Sequence, residues 1–121
     1  MGIAENAIPI RSYRARIFGL SLAQIMASSN DYLEYVLELL RGVGGIAYKR
    51  MMGEFLLYKD GVLFGGIYDN RFLIKKTKSL GSLGLKEQIP YPSAKPMLLV
   101  DSENPDEIND WVLLVINDLR K

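Results

Sequence analysis

Residues 48–77 read YKRMMGEFLLYKDGVLFGGIYDNRFLIKKT. Three apolar, β-prone runs are separated by two compact polar breaks, Lys59-Asp60-Gly61 and Asp69-Asn70-Arg71. Runs of this length joined by Asp-Gly and Asp-Asn breaks predict an antiparallel β-meander. With Ile46 and Ala47 added in front, strands are expected near 46–51, 54–59, 62–68 and 72–77. Gly53 sits between the first two and marks a tight turn or bulge. Gly65-Gly66 removes side chains from the middle of the third strand. Either a helix packs closely there or a ligand approaches the backbone. Packing is the favoured reading.

Outward from the meander, each end predicts a helix. Upstream, Leu33, Val36, Leu37 and Leu40 recur at i, i+3, i+4 and i+7, one apolar stripe of a helix over 30–41. Asp31 with Glu34 fits a capping pair, with Ser29 and Asn30 as alternative caps, and Gly42 is the expected C′ stop. Gly42 to Ala47 formally matches a dinucleotide fingerprint, but those glycines follow a helix and precede a strand, whereas the fingerprint needs the reverse order. A helix stop and loop is the expectation. Downstream, Leu80, Leu83 and Leu85 are interrupted by Gly81 and Gly84, so any helix there is short. Pro90, Pro92 and Pro96 then impose an extended or turn segment, with Tyr91 expected as an anchor on the core. Met97–Val100 predicts a further strand. Asn104-Pro105-Asp106-Glu107 is a helix start with Asn at N-cap and Pro at N1. Ile108, Trp111, Val112, Val115 and Leu119 give its stripe. Leu113, Leu114 and Ile116 widen it, which predicts deep burial or a homodimer interface.

The expected fold class is therefore α+β, an antiparallel sheet (meander plus a further strand) packed by N- and C-terminal helices. The chain has 121 residues, enough for one core, and the domain is expected over 26–121. Residues 1–25 carry Arg11, Arg14 and Arg16 before a mild apolar run broken by Gly19, Ser21 and Gln24. A signal peptide would have a cleaner apolar region and a cleavage site. The favoured reading is a loosely ordered extension or leader.

Composition narrows the chemistry. There are no histidines and no cysteines, which removes the Ser-His-Asp triad, the cysteine nucleophile and the usual zinc sites. No phosphate-loop motif is present, and the acids around residues 101–107 bracket a helix start, where capping explains them. No catalysis, no cofactor and no metal are expected. No apolar run is long enough to span a bilayer. Net charge is +1, but residues 48–86 hold eight Lys/Arg against three Asp/Glu, and residues 87–121 hold three against seven. The basic meander is either a solvated face or a contact surface for an acidic partner or nucleic acid. The candidate contact residues are Lys49, Arg50, Lys75, Lys76 and Lys78, with the three lysines near the end of the fourth strand read as protection of a sheet edge.

Four patches carry a family resemblance: Arg50-Met51-Met52-Gly53-Glu54, Leu57-Tyr58-Lys59-Asp60-Gly61, Ile67 through Lys75, and Pro90-Tyr91-Pro92-Ser93-Ala94-Lys95-Pro96. In order and spacing they resemble the N-terminal domain of the TfoX/Sxy competence-regulator family, over about residues 30–121, as a short single-domain member. Met52 stands where Phe is common and Ser93 where Gly is common. The resemblance implies a fold similar to secretion-chaperone-like domains. It also implies a cytoplasmic bacterial adaptor linked to transcriptional regulation of DNA uptake, acting by protein contact with an activator of the cyclic-AMP receptor type. Direct nucleic-acid binding by the basic meander is the alternative, and a small-molecule binder or enzyme at Gly65-Gly66 the second.

Overall fold

The computed structural model describes residues 29–120; the extension expected over 1–25 lies outside the described residues. The elements run α1 (Asn30–Leu39), β1 (Ile46–Met51), β2 (Glu54–Lys59), β3 (Val62–Tyr68), β4 (Arg71–Lys75), a 3-10 helix (Lys78–Leu83), β5 (Glu87–Gln88), β6 (Met97–Leu99) and α2 (Pro105–Leu119). The six strands form one antiparallel sheet in the order β1-β2-β3-β4-β6-β5. This is the expected α+β arrangement of a meander, a further strand and two flanking helices. β5, only two residues long, was not expected.

The meander is built from three two-residue hairpins. Met52-Gly53, Asp60-Gly61 and Asp69-Asn70 all have both central residues at positive φ, as a type I′ turn requires. Asp, Asn and Gly reach this region readily. Met52 does so at φ 51° with its side chain 96% exposed, so neither packing nor a local hydrogen-bonding side chain explains its presence there.

One irregularity decides which residues enter the core. Between β2 and β3 the register moves from Leu57↔Gly65 to Tyr58↔Leu63, leaving Phe64 as an extra residue. This β-bulge shifts the phase of alternation, so that Phe64 and Ile67, three apart, both pack among the helices and both are fully buried. Strict alternation would have sent one of them to the opposite face. The same cluster takes Phe55 and Leu57 from β2, Phe72 and Ile74 from β4, and Leu98 from β6. Against them lie Leu33, Val36, Leu37 and Leu40 of α1 and Ile108, Trp111, Val112, Val115 and Ile116 of α2. Each such side chain contributes about 1.5–3 kcal/mol on burial. Both helices therefore cover one face of the sheet.

Local hydrogen bonds fix the helix ends. Ser29 is the N-cap of α1, its Oγ accepting from Tyr32 N at 3.1 Å, and Asn104 caps α2 through Asp106 N at 3.0 Å with Pro105 in the first turn. α1 stops at Leu39, two residues earlier than its pattern suggests, and Gly42 is not the left-handed stop. The reversal falls at Gly44 and Gly45, both at positive φ. There Lys59 Nζ donates to the carbonyls of Val43 and Gly44, and a side chain on Gly45 would collide with the Asp60 carboxylate. The glycine run is thus a helix-to-strand loop, as its order in the sequence indicates. In α2, Ile116 rather than Leu119 completes the buried stripe, and Leu113, Leu114 and Leu119 remain partly exposed. Asp118 accepts from both N and Oγ of Ser79 (2.9 and 2.7 Å), which ties α2 to the 3-10 helix.

Candidate functional site

Among the described residues, both helices lie on one side of the sheet and neither covers the other. Alternation sends Leu56 of β2, Leu63 and Tyr68 of β3, Leu73 and Lys75 of β4 and Met97 of β6 to that side. Part of it is closed by the chain itself. The segment after β5 folds back over the sheet, burying Pro90. Arg71 holds it there: its guanidinium donates to Gln88 Oε1 at 2.9 Å and to Pro90 O at 3.2 Å, while Nε donates to Tyr68 O at 3.1 Å. Tyr68 lies over Gly66 and meets the Tyr91 ring at 6.1 Å between centroids. Leu73 beneath is fully buried although it is not part of the helix-side core. Tyr91 is therefore not an anchor on that core, as the sequence suggests. It packs on the opposite face, half exposed; the buried anchor is Pro90.

Among the described residues, what stays open is a groove of about 560 Å³ between this proline segment and residues of β1–β4 and β6. Its floor is apolar: Met51, Leu56, Leu63, Gly65, Tyr68 and Met97. Lys75, Lys76 and Lys95 stand around it. Lys76 pairs with Glu87 at 2.9 Å. Lys75 is half-buried, and its ammonium has no hydrogen-bond or ion-pair partner among the described residues. Glu54, on the same side, accepts from Asp69 N at 2.9 Å. The Tyr68 phenol is pushed above its ordinary value by burial first, and then by Tyr91, Glu54 and Tyr58, so it stays a neutral group at physiological pH.

The five predicted contact residues do not form one patch. Lys49 pairs across to Leu56 and so shares the groove's face. Lys75 and Lys76 line the groove. Arg50 lies on the helix side instead, over the Phe55 ring at 5.2 Å, with Nη2 donating to Asn30 Oδ1 at 3.0 Å. That contact gives Arg50 a structural role, linking β1 to the start of α1. Lys78 is exposed at the start of the 3-10 helix, outside the groove. The edge reading also needs correction. β4 lies between β3 and β6, so Lys75 protects no edge; among the described residues the outer strands are β1 and β5.

Sequence reasoning missed Leu56, Leu63, Met97 and Lys95 as surface-forming residues. A signal was present: β2 reads Phe55-Leu56-Leu57-Tyr58, apolar on both faces, which marks a strand covered on both sides or one that presents an apolar face. Gly65 lines the groove, but a Cβ there would meet the backbone of Leu73 and lie 3.0 Å from Ile74 Cα. Close approach of the neighbouring strand β4 accounts for this glycine, in place of the helix packing expected from the sequence. Among the described residues, no group of three or more His, Cys, Asp or Glu is placed to hold a metal ion. No helix among them is long and apolar enough to cross a membrane. No family model and no curated protein matches the chain.

Proposed function

We propose that this chain is a TfoX-like regulatory adaptor domain that works by protein contact without catalysis, and that its contact surface is the sheet face that no helix among the described residues covers. The observation that carries the reading is the asymmetry of the sheet. One face is sealed by two helices, and the other presents Met51, Leu56 and Leu63 beside Lys49, Lys75 and Lys95. An apolar centre with a charged rim is the usual anatomy of a protein contact. The resemblance of four sequence patches to the competence regulators is what points to the partner class, a transcription activator of the cyclic-AMP receptor type in the bacterial cytoplasm. The absence of His and Cys from the sequence supports a non-catalytic role.

The test is fluorescence anisotropy of a labelled activator site. The domain alone leaves the signal unchanged, and adding it to activator-bound DNA raises the signal. Lys49→Glu/Lys75→Glu abolishes that rise while the variant still melts cooperatively. A rise with the domain alone that falls steeply with salt would instead assign the basic face to direct nucleic-acid binding.

A further inference from the structure

We infer that the groove on the open face is a binding site for an amphipathic organic anion: a single carboxylate on a long apolar body. The inference concerns the same face as the adaptor reading but does not depend on it, because it is tested on the chain alone.

Volume, lining and charge point the same way. The groove's roughly 560 Å³ falls within the range of about 300–1,000 Å³ typical of small-molecule sites. Met51, Leu56, Leu63 and Met97 of its floor offer methyl and thioether surface, with the phenols of Tyr68 and Tyr91 as the uncharged polar groups of the lining, so it suits a mainly apolar body. Methionine adapts its shape to such ligands. The charged groups facing the groove are unequally occupied. Lys76 is neutralised by Glu87, and Glu54 is engaged with Asp69 N. Lys75 and Lys95 have no anionic partner among the described residues. Lys75 is covered in part along its length, so its stem lies on apolar surface while its charge is offered at the rim to an anion.

The same inventory selects the head group. Bidentate phosphate recognition uses Arg forks, and backbone recognition uses N–H nests or helix N-termini, whereas Lys acts as a point charge. Among the described residues, no arginine and no helix start lines this groove. One or two lysines at the rim suit a single carboxylate. The neutral Tyr68 phenol adds no competing negative charge.

The test uses the full chain labelled with 13C at the methionine methyls, titrated with dodecanoate below its micelle concentration. Dodecanol, dodecylammonium and acetate are run alongside. The expected result is saturable binding of dodecanoate in which Met51 and Met97 shift while Met52, at the exposed hairpin tip, does not. Lys75→Gln weakens it about tenfold or more, the loss expected for a charged contact, and Lys95→Gln weakens it less. Lys78→Gln, outside the groove, leaves it unchanged. If Lys75→Gln lowers the melting temperature markedly, Lys95→Gln on the surface segment carries the charge test alone. Dodecanol binding as tightly as dodecanoate would overturn the inference, as would shifts at Met52 equal to those at Met51 and Met97. So would a lack of saturable binding. Shifts at Met51 and Met97 that grow with protein concentration in the absence of ligand would give the groove to a second copy, and would equally overturn it.

Discussion

Replacing Gly66 with alanine adds one methyl group where the structure has no room for it. The new Cβ would sit 2.7 Å from the carbonyl oxygen of Phe55 and 2.8–2.9 Å from the Tyr68 ring. The ring can swing away, but the carbonyl belongs to β2, which is held in register with β3 on either side of this point. The backbone φ here is not in the left-handed region, so the cost is steric. Overpacking of a fixed core position costs about 1–3 kcal/mol, and displacing Tyr68 from Tyr91 forfeits roughly 0.5–1.5 kcal/mol more. We therefore expect Gly66→Ala to destabilise by about 2–4 kcal/mol. For a domain of this size that lowers Tm by roughly 10–25 °C. The control is Gly81→Ala, where a Cβ meets nothing within 4 Å; it should be neutral or stabilising by up to about 1 kcal/mol. Urea and thermal unfolding measured by circular dichroism decide the matter. A Gly66→Ala protein within about 0.5 kcal/mol of the parent, the scatter of inert surface changes, would refute the close-approach reasoning and return Gly66 to the ligand reading.

Other perturbations probe separate parts of the account. The Glu34 carboxyl is raised above its ordinary 4.5, by burial first and by Asp31 second, and its Oε2 is buried without a hydrogen-bond partner. A carboxyl raised on folding subtracts stability as pH climbs through its folded value, so Glu34→Gln should melt higher than the parent at pH 7. That advantage should vanish below about pH 4.5, and a pH-independent difference in Tm would contradict it. Asn104→Ala removes the cap of α2 and should cost about 0.5–2 kcal/mol in urea unfolding. Arg71→Ala should release the proline segment. Hydrogen exchange at Glu87 and Gln88 should speed up while that of β3 stays slow, and unchanged protection of β5 would count against the guanidinium as its fastening.

The meander was legible in the sequence because its information is local. Asp60-Gly61 and Asp69-Asn70 announce their own hairpins, and Asn104-Pro105 announces the start of α2. The bulge at Phe64 was not, because one extra residue changes the phase of alternation without any compositional mark. Missing it hides that Phe64 and Ile67 both face the helices. The separation of Arg50 from Lys75 was hidden for a related reason. Whether two basic residues share a surface depends on which face each takes, and here Arg50 pairs with Phe55 on the helix side while Lys75 pairs with Met97 on the other, a phase that the bulge in β3 conceals. The groove was unreadable because half of its wall is the proline segment. The placement of that segment follows from the contacts of Arg71 with distant carbonyls, while its sequence shows only that it is not helical.

The most direct test of the open face as the contact surface is lysine acetylation footprinting of the full chain by mass spectrometry, with and without the activator bound to its DNA. The account predicts slowed modification at Lys49, Lys75 and Lys95, with Lys78 and Lys86 reacting at their free rates. Protection centred on Lys78 and Lys86, or no protection at any of the five, would contradict it.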